Sequence, residues 1–331
     1  DPEVMRTVAN QHDDVADQIA PAREASTEIL AAVNTFGPIM HQFKSAVSDL
    51  MVNRDAALLH HEHTHRSAAI GLRREAANWP DQVASGIRRI ALSGIQDPLT
   101  DVRVPPDHLR VSGPNLRETI EANGCNSRQR AQLLILKRLM AASELPPFEQ
   151  MRCYLSEAIT PYADLLKQRM PQLRCSECLP EPEHWLRGKV AHRDIRNIGF
   201  PPGCLHLAMC NEIFEHCEEL PRALAGLADV LTIGGYLLAT LPLAYGQVES
   251  IVKARWRGED QEPELLCEPE LHGDPVNPQQ GSLVYQIPGW ELLEQLKSAG
   301  FREACLHAVS STTYGVLGQE LPIVFVLVAK R

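Results

Sequence analysis

A chain of 331 residues, 44% of them hydrophobic and with a formal net charge of -10, has room for two domains or for one domain with a long extension. The acidic balance excludes non-specific binding to nucleic acid or acidic membrane surfaces, which needs a basic field. No apolar run reaches the length of a bilayer span and no signal peptide is visible, so a cytoplasmic location is expected.

The N-terminal region reads as helical over 1–93. Val15, Ile19, Ala22, Ser26, Ile29, Val33, Phe36, Met40, Phe43, Val47 and Leu50 recur at alternating intervals of four and three, the seam of a helix that buries one narrow stripe against another. Pro38 interrupts the seam by removing a backbone donor. Further helices are expected over about 55–78 and 81–93. Two readings stay open here: a bundle packed on the rest of the chain, or a coiled coil that makes a homo-oligomer. The tract His60–His65 could place His61 and His65 on one helical face as metal ligands, but an exposed polar helix is the simpler reading. Residues 94–119, rich in Pro, Gly and Asp, read as a linker. The helix of "SRQRAQLLILKRLMAA" follows, with Asn126 or Ser127 placed to cap it.

From about 150 strands alternate with helices. "MRCYLSE", "QLRCSE", "GKVAHRDI", "LHLAMCN" and "GYLLATLP" are successive strands, "PYADLLKQRM" and "ELPRALAGLADVL" are helices between them, and "WELLEQLKSAG" is a helix ended by Gly300. "REACLHAVS" and "PIVFVLVAK" close the sheet. This alternation implies a mostly parallel α/β sheet covered on both faces, with ligands at the carboxyl ends of the strands. Acidic or polar residues fall at those ends: Glu157, Glu177, Asp194, and Asn211 with Glu212. A carboxylate there can accept two hydrogen bonds from a vicinal diol, the signature of a nucleoside pocket. The nine cysteines read as reduced thiols. Cys175 and Cys178 form one CxxC with no second pair to complete a zinc site, so no metal is assigned.

The segment "RDIRNIGFPPGCLHLAMCNEIFEHCEELPRALAGLADVLTIGGYLLATLPL" resembles the central part of class I S-adenosylmethionine-dependent methyltransferases. "ELHGDPVNPQQGSLVYQIPGWELLEQLKSAGF" and "NSRQRA" resemble a bacterial branch with FEH and HGDP motifs and a Gly-poor first loop. The resemblance spans about 120–331 and implies a Rossmann-like methyltransferase sheet, with Gly234-Gly235 as the turn into the fifth strand and S-adenosylmethionine as cofactor. It implies a cofactor site of Glu157, Glu177, Asp194, Ile195, Asn211 and Glu212, with Glu177 on the ribose, Asp194 and Ile195 at the adenine, and Asn211 and Glu212 near the methionine portion.

The same resemblance marks His216 and His272 as candidate general bases, an imidazole titrating near neutral pH, and Asp274 as a residue that orients His272 or binds substrate. Arg128 and Arg130 are within reach of an anionic acceptor, or are simply solvated. The loop "YLSEAITPYA" holds no glycine where the family ordinarily has a Gly-rich turn. Two functions follow. The first is methyl transfer from S-adenosylmethionine to the oxygen of a small molecule or glycan. The alternative is a degenerate methyltransferase fold acting as a scaffold or regulatory partner. A nucleotide-sugar or NAD enzyme is disfavoured because no Gly-x-Gly-x-x-Gly loop exists.

Overall fold

The computed structural model describes residues 79–179, 186–258, 262–318 and 320–331. The seam over 15–50, the helix expected over 55–78 and the His60–His65 tract lie outside them. The described stretches fall into two compact units, one built from 79–133 and 308–324, the other from 134–307 and 325–331.

In the first unit, helix α1 (Trp79–Ser93) turns Val83 and Ile90 inward. Residues 94–119 are not a bare linker. Ile95–Gln96 pairs with Arg103–Val104, and Arg110–Val111 pairs with Ile120–Glu121, both antiparallel. Ile95, Val104, Leu116 and Ile120 from these hairpins share a core with Val83, Ile90 and Leu317. The polar composition of the segment reflects its turns. Asp97 Oδ1 accepts from the Leu99 and Thr100 N–H groups at 2.9 Å each, and Oδ2 accepts from Asn123 Nδ2 at 3.0 Å. Burial pushes the Asp97 carboxyl up, yet these hydrogen bonds outweigh it and hold the group below the ordinary range.

Helix α2 (Ser127–Ala141) is started by a reciprocal cap. Gln129 N–H donates to Asn126 Oδ1 at 3.0 Å, and Asn126 N–H donates to Gln129 Oε1 at 2.9 Å. The two arginines that follow Asn126 do not face an acceptor. Arg128 Nε is held by both oxygens of Glu118 at 2.7 and 2.8 Å. Arg130 is 1% exposed and donates to the carbonyls of Cys125, Ile120 and Gly315 at 2.8, 2.9 and 2.7 Å.

Six strands form the main sheet: β1 (Cys153–Leu155), β2 (Leu173–Cys175), β3 (Leu205–Asn211), β4 (Leu231–Thr240), β5 (Glu303–Val309) and β6 (Val324–Lys330). Their order is β5-β6-β4-β3-β1-β2. β1 lies parallel to β2 and β3, β3 parallel to β4, and β4 antiparallel to β6. The central strands are near-continuous apolar runs because both faces are covered; Leu207, Ala208, Met209 and Cys210 of β3 are fully buried. Helices α3 (Pro161–Lys167), α4 (Leu220–Val230) and α5 (Leu292–Ser298) fall within the three helical segments expected here. Gly300, at φ +109°, ends the last of them.

Two expectations need correction. "GKVAHRDI" is not a strand: only isolated bridges survive, among them Glu177 with His192 and Asp194 with Asn197. Its Ala191 carbonyl accepts from Glu177 N–H at 3.0 Å and its Arg193 N–H donates to the Glu177 carbonyl at 2.9 Å. One residue of pairing is all that remains, because polar, half-exposed side chains leave the segment little apolar surface to bury. Gly234 and Gly235 are not a turn before β4 but a bulge within it. Leu205 pairs with Leu231 and Leu207 with Tyr236, so the residues between loop out, and Gly234 takes φ +81°.

Candidate functional site

The carboxyl ends of β1, β3 and β4 are tied by one chain of hydrogen bonds. Thr240 Oγ1 donates to Asn211 Oδ1 at 3.1 Å, Asn211 Nδ2 donates to Glu157 Oε1 at 2.6 Å, and Thr160 Oγ1 donates to Glu157 Oε2 at 2.6 Å. Thr160 also caps α3 by accepting from Ala163 N–H at 3.1 Å, with Pro161 at the first helical position. The Thr-Pro pair therefore starts the helix and fixes Glu157 together. Thr160→Val, which keeps the shape and removes the hydroxyl, is expected to cost about 1–2 kcal/mol, read as a lower urea midpoint at unchanged slope. The next residue after Asn211, Glu212, sits at φ +51°, a left-handed position that a non-glycine residue adopts at a cost. Its N–H donates to the Thr240 carbonyl at 2.9 Å.

Glu177 lies just beyond β2, beside the loop that follows β1. Its Oε1 accepts from the Ala158 and Ile159 N–H groups at 2.6 and 3.1 Å. No hydrogen bond to Oε2 is made among the described residues. Burial pushes the Glu177 carboxyl up from the ordinary value of 4.5; the two backbone N–H groups oppose this, and the Glu157 and Asp274 charges add to it. Asp194 is differently placed. Its Oδ1 accepts from Arg196 N–H and its Oδ2 from Arg196 Nε, both at 2.8 Å, and Arg196 also reaches Glu218 at 2.7 Å. Burial raises the Asp194 carboxyl, but Arg196 overrides it and holds the group below the ordinary range. Helix α4 approaches this turn closely: a Cβ on Gly226 would stand 3.1 Å from the Ile195 carbonyl oxygen.

The structure thus brings Glu157, Asn211 and Glu177 to adjacent strand ends, and their fates differ. Glu157, Asn211 and Asp194 spend their side-chain oxygens on protein partners, whereas Glu177 Oε2 has no hydrogen bond among the described residues.

His216 and His272 meet on the far side of the Asn211–His216 segment. His216 closes the short 3-10 turn Phe214–His216, and His272 lies in the two-residue hairpin Leu271–His272 with Ser282–Leu283. Their rings stand edge to face, centroids 5.2 Å apart. His216 Nδ1 lies 2.8 Å from the Leu283 carbonyl oxygen, and His272 Nε2 lies 3.0 Å from Glu270 Oε1. Asp274 touches neither ring by hydrogen bond; its oxygens accept from Val276 N–H at 2.8 Å and Ser282 Oγ at 2.7 Å, so it braces the hairpin. Between the two histidines sits Glu215, a residue the sequence reading passed over. It is fully buried, and its neighbour in the FEH triplet was the only signal that could have found it. Cys175 and Cys178 gather no third metal-type ligand among the described residues, and burial pushes the Cys175 thiol up to about 11.

Comparison with known proteins agrees with this architecture. Residues 169–239 match the family described as "Methyltransferase domain". Residues 1–85 match a different family, described as "Excreted virulence factor EspC, type VII ESX diderm". No curated protein matches the chain. Among solved structures, the chain is similar to 1,6-didemethyltoxoflavin-N1-methyltransferase from Burkholderia thailandensis, at 14% identity over 62% of this chain and 78% of that one, TM-score 0.36. It is also similar to an S-adenosylmethionine-dependent methyltransferase from Mesorhizobium loti, at 11% identity over 60% and 98%, TM-score 0.38. A third, from Archaeoglobus fulgidus, is similar at 15% identity over 60% and 94%, TM-score 0.34. The six-stranded sheet is Rossmann-like, and the stretch of it over residues 169–239 is similar to the methyltransferase family. No helix among the described residues is long and apolar enough to cross a membrane.

Proposed function

We propose that the second unit binds S-adenosylmethionine and transfers its methyl group to the oxygen of a small molecule or glycan. One observation carries the reading: at the ends of the strands where such folds bind nucleosides, Glu177 presents a carboxylate oxygen without a protein partner among the described residues. A ribose diol is the chemistry that such an oxygen accepts, so the residues present fit the cofactor. When bound, the cofactor supplies an electrophilic methyl on sulfonium.

The chain's own residues do the rest by holding and aligning. Glu177 takes a ribose hydroxyl. Glu157 and Asn211 brace the pocket floor through their mutual bond, and Glu212 supplies its lip. Asp194 and Ile195, set by Arg196, form the adenine edge. His216 and His272 form the acceptor side, with Asp274 fixing the hairpin that carries His272. The absence of a glycine in the loop after β1 is offset by the Ala158 and Ile159 N–H groups turning onto Glu177, which keeps the loop folded back on the acid.

That same loop favours a second reading, a non-catalytic scaffold, since its N–H groups are committed within the protein. A purified chain incubated with S-adenosylmethionine and a panel of hydroxylated acceptors separates the two by release of S-adenosylhomocysteine. Acceptor-dependent release supports the enzyme; binding or release that no acceptor stimulates favours the scaffold.

The N-terminal 1–93 we assign to self-association or docking by paired helices, supported by its heptad-like spacing. A chain lacking 1–93 is expected to lose the oligomeric state of the full chain by light scattering; an unchanged state contradicts the coiled coil. We place the catalytic unit in a reducing compartment such as the cytoplasm, in keeping with nine cysteines among which no disulfide forms.

A further inference from the structure

Three acceptor groups converge on one point beside the acceptor side of the pocket. Glu215 is 0% exposed, and neither of its carboxylate oxygens has a hydrogen-bond partner. His216 Nε2 lies 3.7 Å and His272 Nδ1 3.6 Å from Glu215 Oε1. The other nitrogen of each ring is already assigned. A carbonyl oxygen only accepts, so His216 Nδ1 carries a proton for Leu283; a carboxylate only accepts, so His272 Nε2 carries one for Glu270. In the neutral rings, His216 Nε2 and His272 Nδ1 are therefore bare lone pairs aimed at a buried anion.

Lone pairs facing an unpaired carboxylate repel unless a proton or a metal cation lies among them, and a buried charge left alone costs several kcal/mol, about the penalty that pairing or coordination normally removes. The surroundings are those of a metal centre. Histidine ligands characteristically donate their second N–H to a carbonyl or carboxylate, which sets the tautomer and orients the ring. Here Leu283 does this for His216 and Glu270 for His272, and Glu270 is itself clamped by Lys253. Ligands about 2.1 Å from one ion stand about 3.0–3.4 Å apart at octahedral or tetrahedral angles; the two Glu215–histidine spacings need to close by only a few tenths of an ångström, and all three donor atoms lie within 4.8 Å of one another.

We propose that Glu215, His216 and His272 hold a divalent first-row transition ion whose remaining positions take an oxygen of the methyl acceptor. Two imidazoles and one carboxylate suit Zn(II), Mn(II) or Fe(II), and disfavour Mg(II) and Ca(II), which prefer all-oxygen shells. The His272 side chain is 34% exposed, which gives ion and acceptor a way in. The ion's use rests on the methyl-transfer reading; its binding does not. An acceptor hydroxyl on the ion loses its proton to water more readily. Its oxygen then forms the O–CH3 bond as the S–CH3 bond breaks, leaving S-adenosylhomocysteine.

The test is a Co(II) titration of the full chain carrying His60→Ala, His61→Ala, His63→Ala and His65→Ala, so that the N-terminal histidines do not compete. One equivalent of Co(II) is expected to bind with a ligand-field spectrum in the visible, and Zn(II) to displace it. Glu215→Gln and His272→Ala should each weaken binding at least about 100-fold, and Glu270→Gln about 10–100-fold. His272→Ala removes a partly exposed hairpin residue, so it reports even where Glu215→Gln fails to fold. No binding, or binding that these variants leave unchanged, overturns the site. S-adenosylmethionine calorimetry on the same samples keeps the two readings apart: cofactor binding without Co(II) binding sinks the ion alone, and Co(II) binding without cofactor binding sinks methyl transfer alone.

Discussion

Glu177→Ala is expected to weaken S-adenosylmethionine binding by about 10–150-fold, the equivalent of one charge-assisted hydrogen bond of about 1.5–3 kcal/mol. The variant removes the carboxylate oxygen offered to the ribose and also frees the Ala158 and Ile159 N–H groups that Glu177 holds at 2.6 and 3.1 Å. The loss should therefore fall on the affinity of S-adenosylhomocysteine as well, since both carry the same ribose. The pH dependence has a definite sign. Burial, the largest influence, raises the Glu177 carboxyl above 4.5; the two backbone hydrogen bonds oppose this, and the Glu157 and Asp274 charges add to it. Diol binding requires the carboxylate. Affinity should then fall on acidification with a midpoint above 4.5, and Glu177→Gln should be weak and flat across that range. Because the folded-state value is raised, protonation of Glu177 favours the fold even as it disfavours the ligand, so the loss is not one of unfolding.

Arg130→Met should destabilise the chain by about 3–5 kcal/mol, the range for removing one partner from a buried charged network. Burial lowers the Arg130 value to about 10, with the Cys125 and Asp97 charges opposing, so the guanidinium stays charged at neutral pH. Methionine keeps the stem volume and takes the guanidinium donor from three buried carbonyls; that of Cys125 still accepts from the Ala122 N–H at 2.9 Å, while those of Ile120 and Gly315 lose it. Each orphaned acceptor costs about 1–3 kcal/mol, and partial hydration through local loosening accounts for a total below their sum. Urea denaturation followed by circular dichroism measures it. A change below about 1 kcal/mol would show that the carbonyls find other partners.

What the sequence made legible and what it hid follow the same physics. β3 and β4 were readable because strands buried on both faces are near-continuously apolar, as Leu207–Cys210 is before the polar Asn211 ends β3. The polar strand ends followed from the sheet type. The segment 188–195 reads as a strand from its local alternation, whereas pairing needs a partner edge; its one bridge to that edge joins His192 to Glu177, beyond the end of β2. Arg130 looked solvated on a helix full of charges. Its burial comes from a carbonyl 185 residues away, for which no local pattern exists. His216 and His272 were picked for the same role without any sign that they touch, since the hairpin Leu271–His272 with Ser282–Leu283 does the joining. Glu215 was invisible because a glutamate between Phe214 and His216 carries no local mark of its burial.

The account stands or falls on the cofactor. Calorimetric titration of the folded full chain with S-adenosylmethionine and S-adenosylhomocysteine is the most direct measurement. Micromolar binding of both, one per chain, and its loss in Glu177→Ala, is the result predicted here. No heat with either ligand, from protein shown by circular dichroism to be folded, would contradict a working cofactor site and leave the fold as a scaffold.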